Sequence, residues 1–295
     1  MKDSILKKVF LNVFFIVFCL AFIIPFIYLL SLSVTDEAAI ISGGYKMIPE
    51  SISFEAYRQI FRNPTKIIDG YKITIGMSLL GTLLSMVVMT MAAYPLSRTQ
   101  FKYRQGITFF FYFTMLFSGG LIPSYIVNTR YLHLSNSFWV YIFPQLASAY
   151  YILIMRTFFR SLPASLMEAA KIDGAGELKI MWKVALPLSK PILATVSLLL
   201  LLAKWNDWNT TLIYITDEKL YTLQYLLQKI IREDQFIQQM SENSNLLIDL
   251  SGSKSAPIES MRFAMAVIAA GPMLVVFPFF QKYFTRGLTI GAVKE

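Results

Sequence analysis

The chain has one cysteine, Cys19, and one histidine, His133, in 295 residues. That scarcity excludes a disulfide within the chain and any metal centre built from Cys or His ligands. Charge is also sparse: Asp, Glu, Lys and Arg make up 15% of the residues, where a soluble domain carries about 25%. No G-x-x-x-x-G-K-[ST] phosphate loop occurs, so the chain does not bind and hydrolyse ATP in the usual way. H-E-x-x-H and G-x-S-x-G are absent too, and no acid, base and nucleophile can be assembled, which leaves a membrane enzyme the weakest reading. No acidic pair lies within an apolar run, which disfavours a secondary transporter or self-sufficient channel, because ion coupling needs ionisable groups at membrane depth.

What is abundant is apolar surface. Hydrophobic residues reach 56% and mean hydropathy is +0.54. One helical bundle embedded in lipid explains this better than two soluble domains. The net charge of +9 would suggest nucleic acid for a soluble protein. In a membrane protein it reflects Lys and Arg kept on the inner side, and no nucleic-acid partner is expected.

The apolar runs predict an all-α integral membrane fold with six spans, about 9–30, 73–96, 107–127, 138–158, 188–203 and 263–280. The first follows Lys2, Lys7 and Lys8 and is too long for a signal-peptide core. After it, Phe54, Tyr57, Ile60 and Phe61 form either a short interfacial helix or a plain connecting loop. Gly81 and Ser85 in the second span would admit a close neighbour. Gly119, Gly120 and Pro123 in the third mark either a bend beside a pathway or a packing notch. Trp205 and Trp208 close the fifth. They read as interfacial anchors or, with Asn206 and Asp207, as the outer mouth of a passage, where rings and polar groups suit a polyhydroxyl solute. A long outer loop, 205–260, carries Leu223, Leu226, Leu227, Ile230 and Ile231 at helical spacing. With both chain ends inside, basic residues outnumber acidic ones about three to one on that side and roughly balance them outside.

The polar interval 162–188, LPASLMEAAKIDGAGELKIMWKVALPL, stands apart from these runs. Pro163 opens it, Pro187 closes it, and Gly174 and Gly176 divide it. The pattern predicts a helix over Ala164–Ile172, a glycine turn, and a second helix over Glu177–Ala185. Such a helix–turn–helix on a hydrophobic bundle is a handle for a soluble partner.

Glu168-Ala169-Ala170, then Gly174, then Val184-Ala185-Leu186-Pro187, resembles the EAA loop of ABC importer membrane subunits, with Val184 where that pattern usually has Ile. AAYPLSRTQFKYR and the end QKYFTRGLTIGAVKE resemble sugar-type, MalG-like permeases. The resemblance implies a permease of a binding-protein-dependent importer for a carbohydrate, an oligosaccharide or glycan, multi-pass in the cytoplasmic membrane. It implies no catalysis and no cofactor on this chain; ATP and Mg would be bound by a partner ATPase. The implied partners are a second homologous permease, two ATPase subunits, a solute-binding protein and membrane lipid. Glu168, Ala169, Ala170, Asp173, Gly174, Leu186 and Pro187 would couple to the ATPase. Arg286, Gly287 and Gly291, in a cytoplasmic tail 281–295, would approach the ATPases. Asn243 and Asn245 of the outer loop would meet the binding protein. Importers of the same architecture for peptides, polyamines or phosphate are the nearest alternative.

Overall fold

The computed structural model describes the backbone of residues 2–232 and 258–292 and the side chains of 7–232 and 258–281. Those residues form helices and turns, with one isolated antiparallel bridge, Thr35 to Ile52. The chain divides into two compact units, Met1–Ile67 with Leu226–Pro272, and Ile68–Tyr225 with Met273–Glu295.

The first unit begins with α1, Lys2–Ser33, whose apolar side chains from Val9 to Leu30 point outward all round. Helices α2 (Glu37–Gly43) and α3 (Glu55–Ile60) follow, the second turning Ala56 and Ile60 inward while Phe54 and Phe61 stay exposed. The 34–53 loop is pinned where Ser53 N donates to Val34 O at 2.8 Å and Asp36 N to Ser51 O at 3.1 Å. Glu37 then caps the start of a later helix. Its carboxylate accepts from the backbone N–H groups of Glu259 (2.9 Å) and Ser260 (2.8 Å), satisfying donors that a helix start leaves free.

The second unit holds most of the bundle. Helix α4 is the long Pro64–Ser97 span. Next come α5 (Arg104–Leu116), α6 (Leu121–Ile126) running into a π-helical turn Val127–Tyr131, and two 3₁₀ turns at Phe138–Tyr141 and Phe143–Gln145. Then follow α7 (Ala149–Ser161), α8 (Ala164–Ile172), α9 (Glu177–Ile180), a π-helical turn Met181–Ala185, α10 (Leu186–Leu188), α11 (Lys190–Trp205) and α12 (Asn209–Tyr214). Helix α13 covers 223–232 and α14 covers Ile258–Ala292.

Among the described residues, three helices are long and apolar enough to cross a membrane: Lys7–Ser33, Pro64–Ser97 and Ile258–Gln281. The third and fourth expected spans are bent pairs. The fifth, expected over 188–203, is the unbroken helix Lys190–Trp205, which makes a bent pair with Glu177–Leu188 of the polar interval; counting each pair as one span brings the total to six. Arg104–Leu116 and Leu121–Tyr131 meet at 110°, Phe138–Gln145 and Ala149–Ser161 at 51°, and Glu177–Leu188 and Lys190–Trp205 at 80°. The causes are local. Gly120 has φ +85°, open to glycine but strained for other residues; Pro144 lies in the second 3₁₀ turn; and Pro187 and Pro191 flank Ser189 at the third corner. The region read as a tail from 281 is helical in its backbone to Ala292, as part of α14.

Candidate functional site

The interval 164–188 folds as two short helices around a glycine turn. Helix α8 starts after Pro163, whose φ is already −57°. It stops because Gly174 takes φ +74°. Gly174 N donates to Lys171 O at 3.1 Å and Ala175 N to Ala170 O at 3.0 Å, the paired bonds of a Schellman cap. No atom outside its neighbours lies within 4 Å of a Cβ added at Gly174, so backbone angle alone selects glycine there.

One side of this unit is locked to the bundle. Met167, Ile180, Met181 and Ala185 are buried in the cluster that contains Met89 and Ala93 of α4, Met155 and Phe159 of α7, and Val196 of α11. Glu177 adds a polar tie: Tyr94 Oη donates to its Oε2 at 3.1 Å, Arg98 Nε lies 3.4 Å from the same oxygen, and Lys171 Nζ 3.8 Å from Oε1. Arg98 is not aligned for a hydrogen bond, and Glu177 is about half exposed, so these ion pairs orient the unit more than they stabilise it. A cavity of about 300 Å³ opens between Tyr94, Arg98, Phe101, Glu177 and Leu178.

The other side is bare. Glu168, Ala169, Asp173 and Gly174 are exposed, with Ala170 half-buried. The same interval exposes large apolar side chains: Ile172 is 86% exposed, Leu178 69% and Trp182 59%. An apolar set projecting from a charged segment is what a docking face requires.

At the far end of α11, Lys204 is only 3% exposed. Its stem lies on Gly81, where an added Cβ would come within 2.9 Å of Cδ, and its Nζ is 3.5 Å from Tyr141 O. Tyr141 Oη donates to Leu220 O and shares a hydrogen bond with Thr211, both at 2.8 Å. Asp207 accepts from Gln145 Nε2 (3.1 Å) and from Thr210 N and Oγ1 (3.0 and 2.6 Å). Buried polar groups in this network are therefore largely paired, as burial demands.

Residues 2–290 match the family described as binding-protein-dependent transport system inner membrane component. The chain belongs to that family. Among curated proteins, the polygalacturonan/rhamnogalacturonan transport system permease protein YtcP of Bacillus subtilis (strain 168) is 37% identical over 283 residues, 95% of this chain and 96% of that one. The trehalose/maltose transport system permease protein MalG of Thermococcus litoralis is 28% identical, covering 100% of this chain and 99% of its own. Among solved structures, a bacterial ABC transporter involved in the import of the acidic polysaccharide alginate has a chain with TM-score 0.79 and 30% identity. That match covers 96% of this chain and 98% of the other.

Within this binding-protein-dependent permease, the residues singled out by sequence fall into separate groups. Glu168, Ala169, Ala170, Asp173 and Gly174 share α8 and its cap, while Leu186 is half-buried and Pro187 exposed beyond the π turn. The tryptophan cluster comes apart. Trp205 is 4% exposed and packed inside, Asn206 donates to Leu202 O, Asp207 caps α12, and Trp208 is half-buried. Trp205 is thus covered by its own chain. Asn243 and Asn245 lie outside the described residues, and of Arg286, Gly287 and Gly291 only the backbone is described. Sequence reasoning missed Lys204, Tyr94, Ile172, Leu178 and Trp182. Large apolar residues inside the polar interval were the available signal for the last three.

Proposed function

We propose that this chain is the membrane permease subunit of an ATP-driven, binding-protein-dependent importer of carbohydrate, an oligosaccharide or glycan. The relatives named for polygalacturonan/rhamnogalacturonan and trehalose/maltose transport, and the alginate importer, support the substrate class. The observation that carries the coupling role is the two-faced handle: Met167 and Ile180 fix it to the spans while Glu168, Ala169, Ile172 and Trp182 face outward. A separate ATPase receives that face; the small Ala169 and Ala170 permit close approach, and Glu168 or Asp173 pairs with its basic groups. ATP-driven movement of the ATPases then reaches the spans through the buried side. Two ATPases, a second homologous permease and a solute-binding protein complete the assembly, with both chain ends on the cytoplasmic side and Arg286 to Gly291 near the ATPases. Asn243 and Asn245 contact the binding protein in this reading.

The test is affinity purification of the chain in mild detergent with identification of its companions. Recovery of an ATPase and a second permease, with ATP hydrolysis raised by a binding protein and sugar, is the expected result. A chain recovered alone that moves solute in liposomes without ATP overturns the reading.

A further inference from the structure

The break between α5 and α6 leaves polar backbone unpaired at membrane depth. Helix α5 has 13 residues and a length of about 20 Å, and it starts at Arg104, in the stretch with Arg98 and Lys102 and no acidic residue that the positive-inside expectation puts on the inner face. The hydrocarbon core is about 30 Å thick, so a helix of this length that enters from the inner face ends within it, at Phe117 to Gly120. Here the chain leaves the helix and turns by 110°.

Hydrogen bonds inside the chain account for only part of this stretch. Phe117 N donates to Phe113 O, Gly120 N to Ser118 Oγ, and Gly120 O accepts from Ser124 N and Oγ. The N–H groups of Ser118 and Gly119, and the carbonyls of Phe117, Ser118 and Gly119, make no hydrogen bond among the described residues. All four residues are exposed. Non-helical backbone in a membrane persists only where protein buries it or where it lines a water-filled cavity, because lipid offers no partners. The described residues of this chain do not bury it.

We infer that Phe117–Gly120 lines the hydrated passage, and that its free N–H and C=O groups, with the Ser118 hydroxyl, bind the hydroxyl groups of the passing carbohydrate. The inference rests on the importer reading. Free amides and carbonyls both donate and accept, which suits the donor–acceptor character of sugar hydroxyls. They are indifferent to side-chain charge, so the contact serves neutral and acidic sugars alike. Apolar neighbours such as Leu116 and Leu121 are exposed beside the break and present non-polar surface to the carbon faces of a pyranose ring.

The test uses single cysteines in the complete transporter, with Cys19→Ser removing the native thiol. Gly119→Cys is the main variant: its φ is not in the left-handed region, and the nearest atom to an added Cβ is Pro123 Cβ at 3.7 Å. Ser118→Cys is the second. A charged, membrane-impermeant methanethiosulfonate is applied, and labelling is read by mass spectrometry with and without trigalacturonate, maltotriose or raffinose supplied with the binding protein. Rapid labelling of both variants, slowed several-fold by at least one sugar, is expected. Labelling by lipophilic N-ethylmaleimide alone, or by neither reagent, means that lipid or the sister subunit covers the break and overturns the inference. Charged-reagent labelling that none of the sugars slows overturns the sugar contact. Failure of the importer reading is visible separately, as preparations that lack an ATPase or hydrolyse no ATP.

Discussion

At Gly174 the backbone angle decides which residue is allowed. With φ +74° and open space around the missing Cβ, substitution costs the left-handed strain and little else, about 1 kcal/mol for Ala. Gly174→Val is expected to lower ATP hydrolysis coupled to transport while membrane insertion stays normal, and Gly174→Asn, which tolerates this angle, to lose much less. Equal loss in both, measured on the purified assembly, would move the cause from the turn to a partner contact. Glu168 tests the outward face instead. Being exposed, Glu168→Lys should leave the melting temperature unchanged and abolish coupled hydrolysis; normal uptake in that variant removes the coupling role. Gly81 and Lys204 form a third case, where contact is everything. Gly81→Ala should destabilise by about 1–3 kcal/mol, because the added Cβ meets the Cδ and Cε of a buried lysine, which must shift to admit it. In a double-mutant cycle with Lys204→Ala that clash is absent, so the two losses should combine to less than their sum. Additive melting shifts would show that the stem moves freely. Gly81 was legible from sequence as a point of close approach. That the visitor is a lysine was not, because a charge beside tryptophans reads as interfacial.

Among the elements, α8 was the most legible and the bends the least. Proline before Ala164 and glycine at 174 are strong local signals, and the helix runs Ala164–Ile172. A bend has no comparable signature. Hydropathy records that 107–127 is apolar but not its direction, and Gly119-Gly120 reads as a packing notch or as a bend beside a pathway. The 110° turn depends on Gly120 at φ +85° followed by a short helix, which only coordinates reveal. The exposed side of the handle yields a prediction at this scale. Ile172→Asp or Trp182→Ala should reduce the amount of ATPase recovered with the permease without shifting its melting temperature, since neither side chain is packed in the bundle. In the first unit, Glu37→Gln should lower thermal stability by about 1–2 kcal/mol, because both carboxylate oxygens accept from the helix start and Gln offers only one, neutral, acceptor. No change in melting temperature would show that water satisfies the start of α14 equally well.

For the molecule as a whole, the distribution of apolar runs conveyed the class, an all-helical membrane permease, while sidedness and the roles of partners stay at the level of proposals. Removing Met240 to Ala256 is expected to weaken stimulation of ATP hydrolysis by the binding protein and to leave basal hydrolysis intact; unchanged stimulation would detach that loop from the binding protein. The corner at Ser189 sets the mechanical scale of any such coupling. The segment Glu177–Leu188 is about 18 Å long, packed along one side and set at 80° to the 24 Å or so of α11. Those proportions are those of a crank. Moving as one body, a 3 Å displacement at the Glu177 end is a rotation of about 10°, and it sweeps the distant end of α11 by about 4 Å. A sideways shift no larger than a water molecule at the inner surface thus becomes, at the other end of the span, a displacement comparable to the width of a hydroxyl-bearing ring edge.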